Sequence, residues 1–214
     1  MGLYDQFQRP TGHLGTVIAA KMNREHYELT SWGLAYVTIN PNFTILDLGC
    51  GGGKTINRLA ELVPNGKVYG IDHSPDMVAY AQKLNKTYIE QGKVEIAEGQ
   101  ADQTGFPSGT FDLVTAVETY YFWPNLPDAF KEILRVLKPT GRLLMINEMI
   151  KDGHYDVEKA SLIEKVHVRL FTIEDIREML DKAGFISVTI SRKDQSAWNA
   201  IVAQKPRGMY CSKA

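Results

Sequence analysis

The sequence predicts an α/β domain, a doubly wound and mostly parallel sheet with a C-terminal antiparallel hairpin and an N-terminal helical lid. Three observations predict it. Strand-like and helix-like segments alternate from residue 44 onward. A glycine-rich turn, Gly49-Cys50-Gly51-Gly52-Gly53, separates the first strand from the first helix of that series. The last two strands are joined by a polar link too short to hold a crossover helix, so they must run antiparallel.

Each element has its own signal. His13 to Ile39 is mainly helical in pattern and follows no strand, so residues 1–43 read as a helical segment that could cover the open end of a sheet. Thr44 to Leu48 is a short apolar strand ending in the glycines. Ile56, Leu59, Ala60 and Val63 then fall on one helical face, and Pro64-Asn65-Gly66 ends that helix. Lys67 to Ile71 is a second strand, closing at Asp72. Ser74-Pro75 starts the next helix, Ser as cap and Pro at the first position, where no amide donor is needed. Val94 to Ala97 and Phe111 to Val117 read as strands, Ala129 to Leu137 as a helix and Arg142 to Asn147 as a fifth strand. Lys138-Pro139-Thr140-Gly141 is the turn before it. Ile173 to Ala183 is a helix capped by Gly184, and Ile186 to Ser191 and Trp198 to Ala203 form the hairpin. The main domain therefore spans 44–205, and 206–214 reads as a disordered tail.

Composition narrows the function. A chain of 214 residues can bury a core without disulfides or metals. The formal net charge of −1 supplies no field toward nucleic acid or an anionic membrane, so neither partner is expected. Cys50 and Cys211 are too few for a disulfide scaffold or a four-cysteine zinc site. No apolar run reaches membrane-spanning length and the N-terminus lacks a secretory pattern, which together predict a cytoplasmic protein.

The glycine turn could serve three ligand types. A phosphate loop needs Gly, four residues, then Gly-Lys-Ser/Thr; Gly53-Lys54-Thr55 matches the end, but the first glycine position is Leu48. A dinucleotide fingerprint needs G-x-G-x-x-G; Gly49 and Gly51 start it, but the third position is Lys54. The third pattern, Asp47-x-Gly49-x-Gly51, sets a carboxylate two residues before the first glycine. A carboxylate there suits a cationic ligand, such as one bearing the ammonium and sulfonium of S-adenosylmethionine, and repels a phosphate. Asp72 ends the next strand, where an acidic residue can accept bonds from ribose hydroxyls, and Asp102 follows the third, within reach of an adenine amino group.

These residues resemble a known family, the class I S-adenosylmethionine-dependent methyltransferases, whose fold is Rossmann-like. Ile45-Leu46-Asp47-Leu48-Gly49-Cys50-Gly51 resembles the family's first motif, and Gly70-Ile71-Asp72-His73-Ser74-Pro75-Asp76-Met77 its second. Gly99-Gln100-Ala101-Asp102 resembles the third, and Phe111-Asp112-Leu113-Val114-Thr115-Ala116-Val117-Glu118 the fourth. The likeness runs from about 44 to 203 and lies nearest the subgroup with small-molecule acceptors, including quinone-biosynthesis C-methyltransferases.

The resemblance implies transfer of a methyl group from S-adenosylmethionine to a small-molecule acceptor by in-line displacement. It implies a cofactor site at Asp47, Gly49, Cys50, Gly51, Asp72, His73, Met77, Ala101, Asp102, Val117 and Glu118. Glu118 and Tyr121 are the catalytic candidates, and His13, His26, Tyr120, Trp123 and Glu148 are candidates for the acceptor pocket. The Asn/Asp-Pro-Pro-Tyr/Phe device of enzymes that methylate amines in DNA is missing, since that place reads Glu118-Thr119-Tyr120-Tyr121-Phe122. No acidic triplet of the catechol type is evident, so no metal is expected. The rival readings are a methyltransferase acting on protein or RNA, a non-catalytic S-adenosylmethionine-binding protein, and a nucleotide-binding P-loop protein.

Overall fold

The computed structural model describes residues 12–166 and 168–208, apart from the side chains of residues 13, 14 and 16. A helix, α1 (Gly12–Leu34), precedes the sheet. Then follow β1 (Thr44–Leu48), α2 (Lys54–Leu62), β2 (Lys67–Asp72), α3 (Pro75–Leu84), α4 (Lys86–Glu90) and β3 (Val94–Glu98). The second half holds β4 (Phe111–Val117), a 3-10 turn (Tyr120–Phe122), α5 (Leu126–Val136) and β5 (Leu137–Asn147). It ends with α6 (Tyr155–Glu158), α7 (Ala160–Val166), α8 (Ile173–Ala183), β6 (Ile186–Arg192) and β7 (Asn199–Gln204).

The seven strands form one sheet in the order β3-β2-β1-β4-β5-β7-β6. Strands β1 to β5 pair in parallel, and β7 runs antiparallel between β5 and β6. This is the doubly wound fold with the expected terminal hairpin. The chain reverses its winding between β1 and β4, and that switch opens a crevice at their carboxyl ends.

Two apolar layers cover the sheet. On one face α5 buries Leu126, Ala129, Phe130, Ile133 and Val136 beside Phe111, Leu143 and Ile201. Asn125 caps α5 by accepting from the Asp128 amide, and Thr172 and Asp175 form a reciprocal capping box on α8. Gly184 ends α8 at φ 103°, a left-handed angle that only glycine takes without cost. On the other face Leu29 of α1 and Ile56 and Leu59 of α2 pack over Ile45, Val68 and Leu144. Helix α1 therefore lies along the sheet's flank as well as over its open end.

Some boundaries differ from the expected ones. The turn at 138–141 lies inside β5: Leu137 still pairs with Phe111, and the ladder resumes at Arg142 opposite Leu113. Thr140, at φ 66°, turns the excess residues out of the ladder. Helices α4 and α6 bury no residue and α7 buries only Val166, so they carry no periodic apolar face for the sequence to reveal. Among the described residues no helix is long and apolar enough to cross a membrane.

Candidate active site

The glycine turn is held by the strand beside it. Leu48 ends β1, and the Gly49 and Cys50 amides both donate to the Ile71 carbonyl of β2, at 2.9 and 3.0 Å. The Gly51 amide donates to Asp72 Oδ2 at 2.8 Å, and the Ser74 amide donates to Asp72 Oδ1 at 2.9 Å. One buried carboxylate thus fixes two consecutive turns, each oxygen keeping a lone pair for a ligand. Gly49 sits at φ 67°, and a Cβ there would stand 2.2 Å from Thr119 Oγ1. Both the angle and the close approach exclude any side chain.

Asp47 lies deeper, buried at the end of β1, where Thr115 Oγ1 donates to its Oδ1 at 2.7 Å. Burial pushes its carboxyl up to about 7, opposed by the Thr115 bond and assisted by the Asp72 charge. The neighbouring Cys50 thiol is pushed well up by the same burial and by both aspartates, so it stays a protonated thiol.

A cavity of about 330 Å³ opens over this turn at the winding switch. Asp47, Gly49, Cys50, Gly51, Asp72, His73, Met77, Ala101, Asp102, Val117 and Glu118 all border it. The segment carrying Ala101 and Asp102 is anchored from below. The Thr104 amide and hydroxyl donate to Glu132 Oε1 on α5, at 2.9 and 2.6 Å, and Arg135 pairs with Glu132 Oε2 at 2.7 Å. The Arg135 guanidinium holds the Glu132 carboxyl down at about 2, with the Thr104 bonds assisting.

The far wall carries the second set of polar groups. Glu118 follows β4 in a left-handed conformation, φ 56°, and is 6 % exposed. Tyr121 Oη donates to Glu118 Oε2 at 2.5 Å, and the Glu148 amide donates to Glu118 Oε1. Burial pushes the Glu118 carboxyl up to about 8, with the Glu148 charge adding to it and the two donors opposing. Trp123 borders the cavity, its Nε1 donating to Thr119 Oγ1 at 3.2 Å.

Helix α1 forms the remaining wall through Ala19, Met22, Asn23, His26, Tyr27 and Thr30. Arg58 of α2 ties it down, donating to the Tyr27 carbonyl at 3.0 Å and to Ser31 Oγ at 2.7 Å. Burial holds the His26 imidazole below its usual range, against the pull of Glu148 and Glu25.

Not every candidate residue reaches this cavity. Tyr120 is 1 % exposed and its hydroxyl donates to the Met149 carbonyl at 3.3 Å, so it belongs to the core and not to the acceptor pocket. Tyr121 is likewise buried behind Glu118 and acts only through it. Glu148 reaches the site edge, with a ligand atom within 4.8 Å of those of Glu118 and His26. The side chain of His13 lies outside the described residues. The α1 wall residues Met22, Asn23, Tyr27 and Thr30 carry no motif that could have marked them. Their only signal is that α1 must pack somewhere near the open sheet end.

Residues 46–145 match the methyltransferase domain family. The chain is 29 % identical over 167 residues to an arsenite methyltransferase of Halobacterium salinarum, covering 76 % of this chain and 42 % of that protein. It is 30 % identical over 188 residues to the 2-methyl-6-phytyl-1,4-hydroquinone methyltransferase of Synechocystis, covering 83 % of this chain and 56 % of that one. With the demethylmenaquinone methyltransferase of Lactococcus lactis it shares 39 % identity over 104 residues, covering 48 % and 41 %. The chain thus spans about 40 to 60 % of the length of these relatives. Among solved structures, the complex of the Haloferax volcanii Trm112 methyltransferase activator with a methyltransferase matches at TM-score 0.76 and 19 % identity, covering 91 % of this chain and 96 % of that one. The Haemonchus contortus phosphoethanolamine N-methyltransferase 2 in complex with S-adenosyl-L-methionine matches at TM-score 0.73 and 20 % identity, covering 84 % and 53 %. At those identities the structural likeness is one of fold, and it agrees with the independent sequence match: residues 46–145 carry a methyltransferase domain, and the chain is similar over that domain and its flanks to S-adenosylmethionine-dependent methyltransferases.

Proposed function

We propose that this chain binds S-adenosylmethionine over the glycine turn and transfers its methyl group to a small-molecule acceptor. The observation that carries this reading is the Asp72 carboxylate, bonded to the Gly51 amide at the winding switch while it borders the cavity. The residues present fit such a cofactor. Asp72 offers acceptor lone pairs for two adjacent hydroxyls, and a Cβ built at Gly51 would meet nothing within 4 Å, so the turn presents bare backbone. Asp72 and Asp102 border the same space, with Asp47 partly ionised near neutral pH beside them, an acidic lining that favours a cationic ligand and disfavours a phosphate.

Bound there, the cofactor supplies a methyl group made electrophilic by its sulfonium. The chain's own work is to position the acceptor and exclude water, effects that together can lower a barrier by about 7–11 kcal/mol. Tyr27, Phe122 and Trp123 give the acceptor end an aromatic wall that suits a flat molecule. The relatives whose names carry quinone and hydroquinone substrates support an acceptor of that general kind. Glu118 faces this end with a carboxyl that takes up a proton near neutral pH, which suits a group receiving one from the acceptor. Tyr121 positions Glu118, and His26, Trp123 and Glu148 complete the acceptor side.

Calorimetric titration with S-adenosylmethionine and its demethylated product tests the reading. One site per chain is expected, and no saturable heat with either compound would overturn it.

A further inference from the structure

Three side chains outside the nucleoside half of the cavity converge from distant parts of the sequence. His26 comes from α1, Glu118 from the residue after β4, and Glu148 from the residue after β5. Each offers one ligand atom, and these atoms all lie within 4.8 Å of one another. We propose that His26, Glu118 and Glu148 form a binding site for a divalent first-row transition-metal ion. This proposal goes beyond the cofactor reading and does not depend on it.

The donor set matches such an ion. One imidazole nitrogen and two carboxylate oxygens suit zinc, manganese or iron, whereas calcium and magnesium prefer oxygen alone. Tetrahedral ligands at about 2.0–2.2 Å from one ion stand roughly 3.3–3.6 Å apart. Separations closing by at most about 1.5 Å, shared between the flexible side chains, would therefore bring these three into coordination.

The site is also built, and is more than a surface coincidence. Glu118 is 6 % exposed, yet among the described residues no lysine or arginine lies within ion-pair distance of Glu118 or Glu148. Glu118 is buried with the half-buried Glu148 facing it, and Lys159 acts on Glu118 only from beyond contact distance, so a divalent ion between the two carboxylates would be their nearest cation. Tyr121 Oη and the Glu148 amide each occupy one lone pair of Glu118 and fix its plane, as outer groups do for metal-ligating carboxylates. Arg58 clamps α1, the helix that carries His26, at the adjacent Tyr27 carbonyl.

The test uses the untagged 214-residue chain, stripped with a chelator and titrated separately with Mn²⁺ and Zn²⁺ in a calorimeter. Saturable binding of one ion per chain is expected for at least one of the two. His26→Ala and Glu148→Gln should each weaken it by more than the roughly 10–100-fold that loss of a supporting group costs. Neither residue belongs to the apolar core, and circular dichroism of both variants checks that they fold. Absence of saturable binding of both ions overturns the proposal, as does wild-type affinity in folded His26→Ala. Failure to bind S-adenosylmethionine alongside intact metal binding would sink the proposed function and leave this site standing.

Discussion

The carboxylate of Asp72, the last residue of β2, accepts a hydrogen bond from the Gly51 amide at 2.8 Å and so holds the turn that follows the neighbouring strand. Asp72→Ala removes this support together with the acceptor proposed for the ribose hydroxyls. A charge-assisted hydrogen bond contributes about 1.5–3 kcal/mol, so cofactor affinity should fall roughly 10- to 100-fold. Calorimetry measures it; unchanged affinity would remove Asp72 from the site.

Gly49 admits no side chain. Its φ of 67° and the 2.2 Å approach of Thr119 Oγ1 to a built Cβ act together. Gly49→Ala should lower stability by about 1–3 kcal/mol from backbone strain, with a further cost from the clash. Urea unfolding reads this, and an unshifted midpoint would mean that the turn relaxes freely.

Burial sets an alkaline limit on the ligand-free protein. Asp47 is pushed up to about 7 and Glu118 to about 8, so the folded chain holds protons there that the unfolded chain has released. Stability from these groups is complete below the ordinary carboxylate range and is lost as pH rises through 7 to 8. Melting temperatures measured in metal-free buffer should decline across this window. Glu118→Gln should flatten the decline, and an identical slope in that variant would exclude Glu118 as its source.

Tyr121 reaches the cavity only through Glu118. Its hydroxyl stabilises the charged form of that carboxylate, so Tyr121→Phe should raise the Glu118 pKa further. In the metal-free protein the acid limb of the pH–rate profile should then move to higher pH, while cofactor affinity stays as in the wild type. A loss of cofactor binding equal to the loss of turnover would contradict a positioning role.

Glu132 supports the segment that carries Asp102 from a distance. With Glu132→Ala, Thr104 loses both of its bonds to α5, and its amide should exchange faster with solvent. The Glu132 carboxyl is held at about 2, so its contribution is present above the ordinary carboxylate range and disappears as pH falls through that value. Unaltered exchange at Thr104 in the variant would show that other contacts hold the segment.

Much of the fold is legible in the chain because periodicity and punctuation are local. The Gly49 to Gly53 turn, the Ser74-Pro75 start of α3 and Gly184 at the end of α8 are each written within a few residues. The acidic residues at the strand ends could be placed for the same reason: a parallel sheet puts successive carboxyl ends on one rim. Tyr120 and Tyr121 show the limit. They are adjacent aromatics in one short turn, and nothing local reveals that both rings point into the core while Phe122 and Trp123 border the cavity.

The sequence by itself determined the succession of strands and of the helices that bury an apolar face, the glycine turn and the acidic rim, because those follow from side-chain period, steric freedom and the shortness of a link. Only the tertiary structure decided that α1 forms a cavity wall and that His26, Glu118 and Glu148 stand together across more than a hundred residues of chain. That meeting depends on how a helix packs across the ends of β4 and β5, a balance of burial and shape over the whole surface that no stretch of sequence encodes alone.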